Sequence, residues 1–314
     1  MTQHLPTPTR RTFLTSAAAA AAASVLLTFP TDVLAGAGQD DGGGHAVTFD
    51  GDALIVARRT LSRRDATGSW RSLPITAADG VFSLATHPGR PGRIAAGLAS
   101  GGVIISEDEG QSWQARSQGL PDARVTAVAV ASLSPDTLYA AIRGDGLWKS
   151  EDAGRSWVFA MDRPWLEGAE RDVTALASVD LETGMGGIWL YAGTELGLTR
   201  VPDCFCRWQD VQPGDAMDAL VSGAAPAPEN PLPAGEPIHA LVSAPSLPER
   251  LYAVLASGIW VSEDAGVVWA QRSTSRANAV AVHPQDADQV VAVTGDGLLE
   301  SRDGGLSWTA LANI

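Results

Sequence analysis

Four segments of the chain share one pattern, Ser-x-Asp-x-Gly-x-x-Trp: Ser106–Trp113, Ser150–Trp157, Ser262–Trp269 and Ser301–Trp308. Two degraded copies end at Trp70 (SRRDATGSW) and Trp208 (TRVPDCFCRW). The six tryptophans lie 43, 44, 51, 61 and 39 residues apart in turn. A unit of this size, recurring six times, constrains the fold more than any other feature. One such unit cannot bury its apolar face alone, so neighbouring copies must stack.

Each repeat has the same layout upstream of its box. An alternating apolar run comes first, as in Val125-Thr126-Ala127-Val128-Ala129-Val130. A turn and a second run follow, Leu138-Tyr139-Ala140-Ala141-Ile142, and then a Gly-rich hairpin and a third run, Gly146 to Ser150. The box closes the next hairpin, and Trp157-Val158-Phe159 starts a fourth strand. Four short strands per repeat predict an all-β chain, a β-propeller of six four-stranded blades over residues 45–314.

The box chemistry suits a hairpin. An Asp carboxylate (Asp108, Asp152, Asp264, Asp303) can accept hydrogen bonds from turn amides, and a Ser hydroxyl (Ser106, Ser150, Ser262, Ser301) can close the hairpin base. Gly110, Gly154, Gly266 and Gly305 supply left-handed backbone angles, and Trp113, Trp157, Trp269 and Trp308 reach between blades. These residues read as structural, because their carboxylates are engaged by their own backbone.

The pattern resembles the Asp-box, or BNR, repeat family, over essentially the whole mature chain. That family includes sialidases, other glycosidases, sorting-receptor ectodomains and photosystem II assembly factors, so the resemblance implies a propeller without fixing an activity. Sialidase members use an arginine triad, an Arg-Ile-Pro motif and a Tyr–Glu pair. The nearest analogue here is Arg93-Ile94-Ala95, without the proline. The three tyrosines, Tyr139, Tyr191 and Tyr252, occupy one repeated strand position, which reads as packing and disfavours sialidase chemistry.

A glycosidase of another kind needs two carboxylates at a suitable separation. The loops joining second to third strands, and those joining blades, lie on the face opposite the boxes. There the candidates are Arg143, Asp145, Glu195 and Asp296, with Asp162, Arg163, Trp165, Glu167, Glu170 and Arg171 from the connector 162–172. Asp145 and Asp296 each sit in a Gly-Asp-Gly hairpin, where Asp also serves the turn. Trp165 lies outside the repeated Trp positions and suits a protein or sugar contact. A second long connector, Gln212–Pro237, is rich in Pro and Ala and reads as an extended loop, acidic through Asp215, Asp218, Glu229 and Glu236.

The chain opens with an address. Thr9-Arg10-Arg11-Thr12-Phe13-Leu14, an alanine-rich apolar stretch and small-residue cleavage patterns resemble a twin-arginine export signal, here residues 1–37, with a flexible linker over 38–44. The resemblance implies an exported, periplasmic or extracytoplasmic protein. With 36 acidic and 22 basic residues the formal charge is −14, and removing the signal makes it −15, because two arginines and one aspartate leave. That balance argues against nucleic-acid binding. No cofactor motif and no His or Cys spacing typical of a metal site occurs, and His87 and His283 recur at one turn position. Cys204 and Cys206 stand where one box has been lost; a disulfide in that lost role and a redox function are both open.

The leading expectation is an exported, non-catalytic propeller that binds a protein partner, as an assembly factor or accessory subunit of a membrane-associated or periplasmic complex. The rival is a glycan-active hydrolase or lyase, and a glycan-binding module without turnover is a third reading.

Overall fold

The computed structural model describes residues 45–75, 80–183, 187–212 and 230–311. The signal segment 1–37, the linker 38–44 and Asp215, Asp218 and Glu229 lie outside the described residues. Six four-stranded antiparallel sheets follow one another along the chain. The first is β1 (Ala46–Asp50), β2 (Ala53–Ala57), β3 (Leu61–Arg64) and β4 (Trp70–Ser72). The second is β5 (Val81–Ala85), β6 (Ile94–Leu98), β7 (Val103–Ser106) and β8 (Gln114–Ala115). The third is β9 (Val125–Ala131), β10 (Ser134–Ile142), β11 (Gly146–Ser150) and β12 (Val158–Met161).

A two-stranded ribbon, β13 (Trp165–Leu166) and β14 (Ala169–Glu170), precedes the fourth sheet: β15 (Val173–Val179), β16 (Trp189–Thr194), β17 (Gly197–Pro202) and β18 (Gln209–Asp210). The fifth is β19 (Ala240–Ala244), β20 (Leu247–Leu255), β21 (Gly258–Ser262) and β22 (Ala270–Ser273), and the sixth β23 (Ala277–His283), β24 (Asp286–Thr294), β25 (Leu298–Ser301) and β26 (Thr309–Leu311).

The first strands of successive sheets are neighbours, and β23 returns to β1. The chain is therefore a closed six-bladed β-propeller. Among the described residues no sheet takes strands from both the first and the sixth blade, so the ring closes through side chains. His283 carries part of that closure: its ring meets Phe49 edge-on, with centroids 5.2 Å apart.

Each seam between blades holds one apolar cluster, and each repeated tryptophan packs at the seam with the preceding blade. Trp157 and Trp269 are buried inside the second–third and fourth–fifth seams. Trp113, Trp208, Trp308 and Trp70 pack against the first–second, third–fourth, fifth–sixth and sixth–first clusters. The two degraded copies thus keep this part of the pattern. The tyrosines are fully buried at the seams with the following blade. Burying one such ring removes roughly 150–250 Å² from water, an upper value of about 4–6 kcal/mol.

The four full boxes repeat one geometry. The Ser hydroxyl donates to the Asp carboxylate at 2.7–2.8 Å and accepts the Gly amide at 2.8 Å. In three of them a second serine, Ser112, Ser156 or Ser307, donates both its hydroxyl and its amide to that Asp. Those hydroxyl bonds, with the amides, hold Asp108, Asp152 and Asp303 down at about 2. Gly154 shows why glycine is needed: its φ is +82°, and a Cβ there would stand 2.9 Å from Ile105.

Candidate functional site

Consecutive antiparallel strands put the first-to-second turns and the box hairpins on one face. The second-to-third loops and blade connectors lie on the other. A central cavity of about 320 Å³ is lined from the middle of each first strand to the turn that follows it, which places it toward the box face. Every blade contributes aliphatic residues, Val47, Leu84, Val128, Leu176, Leu241 and Val280 among them. Thr48, Thr86, Ser132, Ser178 and Ser243 add hydroxyls, several of which stitch adjacent blades together: Thr48 and Thr86 are 3.0 Å apart, and the Ser132 amide donates to Ser178 at 2.9 Å. One carboxylate, Asp180, belongs to the lining. None of the ten loop residues singled out from the sequence lines this cavity.

Nine of those ten gather elsewhere, on the loop face between the third and fourth blades. The 162–172 connector is organised by the ribbon, whose hairpin turns through Glu167 (φ 50°) and Gly168 (φ 81°). Both angles are positive, as a two-residue hairpin turn requires. Arg163 holds the ribbon base, bonding Glu170 at 2.6 Å and Asp172 at 3.1 Å. Asp172 also accepts the Gly144 amide at 2.8 Å, which ties the connector to the hairpin bearing Arg143 and Asp145. Arg171 reaches the fourth blade, pairing with Glu195 at 2.8 Å. The backbone carbonyl of Asp162 accepts the Trp208 indole at 2.8 Å. Asp145 accepts the Trp148 indole at 2.6 Å, and Trp148 meets Phe159 edge-on.

On this framework Trp165 is 68% exposed, and no seam cluster includes it. Val158 and Phe159, on the outermost strand of the same blade, are exposed as well. Asp296 does not join the group; it is exposed on the sixth blade, across the ring. Asp172 is the member that sequence reasoning missed, since a connector read as loop gives no pairing.

The tyrosines offer no nucleophile. Burial raises Tyr139 and Tyr191, and pushes Tyr252 up to about 12. The Tyr191 and Tyr252 hydroxyls donate to Ala265 and Ala287 carbonyls of the next blade. The histidines act likewise: His87 Nε2 lies 2.9 Å from the Ser132 carbonyl, and His283 Nε2 3.1 Å from Asp52. Among the described residues no group of three or more His, Cys, Asp or Glu is gathered as a metal site.

The six-bladed propeller is the class that this architecture defines. No protein-family model and no curated protein matches the chain. Solved structures do. A GH74 xyloglucanase from Xanthomonas campestris superposes with a TM-score of 0.52 at 19% identity, covering 87% of this chain and 47% of its own. YCF48 bound to D1 peptide superposes with a TM-score of 0.50 at 16% identity, covering 86% and 82%. A chain of the mitotic checkpoint complex gives 0.57 at 15% identity, covering 82% and 86%. This chain spans about half the length of the GH74 enzymes. At these identities the likeness is one of fold, shared by hydrolases and protein-binding propellers.

Proposed function

We propose that this chain is an exported, non-catalytic propeller that binds a protein partner through the loop surface between its third and fourth blades. The observation that carries the reading is Trp165, a large aromatic left exposed on a ribbon whose arginines are held in place by Glu170, Asp172 and Glu195. Preordered aromatic and arginine side chains are the composition of interface hot spots. The same arrangement supports binding over hydrolysis, because Glu195, Glu170 and Asp172 are engaged by arginines and Asp145 by an indole. The central cavity adds only Asp180, where glycoside hydrolysis needs two carboxylates.

The twin-arginine signal and the repeat pattern extend the proposal to an accessory or assembly role on a membrane-associated or periplasmic complex. Affinity capture from the envelope fraction tests it. A partner retained by the native chain and lost on Trp165→Ala supports the reading. Cleavage of polysaccharides or aryl glycosides by the purified chain supports the rival.

A further inference from the structure

The fourth blade closes its outer hairpin differently from the four blades with full boxes. Asp203 keeps the box spacing to Trp208, the same five residues that separate Asp152 from Trp157. The box serine is replaced by Val201, so no hydroxyl is present to accept a turn amide. Cys204 and Cys206 are instead joined by a disulfide, with Cα atoms 5.5 Å apart. Phe205 lies between them at the place of the box glycine, with φ +52°, a left-handed angle that a side chain resists. Its ring meets Tyr139 of the third blade edge-on at 5.8 Å and packs against the seam cluster. Both cysteines are exposed.

We infer that Cys204–Cys206 is a thiol-exchange site, and that it locks Phe205 into the seam between the third and fourth blades. The thiolate of a small thiol attacks one of the two sulfurs and forms a mixed disulfide. The Cys204–Cys206 bond breaks, and the other cysteine leaves as a thiolate that takes a proton from water. A second thiol then attacks the mixed disulfide, giving the oxidised small thiol and two free cysteines. Two thiols are oxidised and one disulfide is reduced. A crosslink across two residues closes so small a loop that it restrains the unfolded chain little. The exposure of both cysteines gives a thiolate access. Once the bond opens, the hairpin lacks the Ser and Asp bonds that hold the full boxes. Its Phe205 amide keeps one backbone bond, to the Pro202 carbonyl at 2.8 Å. Phe205 is then free to leave the left-handed region and Tyr139.

The test uses the folded full chain and reduced glutathione without denaturant. Mass spectrometry should show a glutathione adduct on Cys204 or Cys206, followed by the dithiol form. Hydrogen exchange should show loss of amide protection in peptides around Tyr139 and over 198–208, restored on reoxidation. In Phe205→Gly the exchange chemistry should persist while the redox-dependent loss of protection at Tyr139 disappears. A bond that reacts only after denaturation overturns the exchange site. Unchanged protection on reduction, or the same redox-dependent loss in Phe205→Gly, overturns the lock.

Discussion

His283, at the end of the first strand of the last blade, lies 3.1 Å from Asp52 through its Nε2 and edge-on to Phe49, joining the sixth blade to the first. Since no sheet is shared between the first and sixth blades, this seam holds the ring closed by side-chain packing. Phe49 is buried there. Phe49→Ala should cost about 3–4 kcal/mol in urea denaturation. A cost below about 1 kcal/mol would mean that the seam contributes little to closure.

The boxes make opposite predictions at two sites. In Ser150→Ala the Gly154 amide loses its 2.8 Å acceptor in a buried position, which should destabilise by about 1–2 kcal/mol. The fifth-blade box carries Val268 where three others carry serine, so this position gives Asp264 its amide at 2.9 Å but no hydroxyl. Val268→Ser should restore the missing hydroxyl bond and stabilise by about 0.5–1 kcal/mol. Denaturant midpoints of the two variants should therefore move in opposite directions.

Acid should act on the same elements. Asp108, Asp152 and Asp303 are lowered from an ordinary 3.8 to about 2, so folding favours their charged forms. Their contribution is complete above pH 3.8 and is lost as the pH falls toward about 2. Melting temperature should fall across that window. The combined Ser112→Ala, Ser156→Ala and Ser307→Ala variant should show a shallower fall. An identical slope would remove the hydroxyl bonds as the cause.

Tyr191 couples the fourth blade to the fifth. Its hydroxyl donates to the Ala265 carbonyl at 2.8 Å and accepts from buried Arg200 at 3.1 Å. Tyr191→Phe leaves both partners short and should cost about 1–3 kcal/mol. The conserved ring volume should leave the near-ultraviolet spectrum of the seam tryptophans in place.

Much of the ring was legible in the sequence, because a repeated residue at a repeated offset has one packing role. Trp208 and Trp70 kept their seams although their boxes had decayed, and the buried tyrosines followed from one shared strand position. The functional surface was less legible. Glu167-Gly168 is not a familiar hairpin-turn pair, so the ribbon bearing Trp165 read as plain loop. The pairing of Arg171 with Glu195 depends on the register of β15 on β16, where Val173 faces Thr194, which spacing does not encode. The cavity lies toward the face of the boxes, while the candidate residues sit on the other, a separation that follows from three-dimensional strand direction.

The central claim rests on Trp165. Capture from envelope extract, with the native chain and Trp165→Ala side by side, tests it most directly. The account predicts one stoichiometric protein partner with the native chain and its loss with the variant, while both chains melt at the same temperature. An unchanged capture profile, or glycan cleavage by the native chain alone, would contradict it.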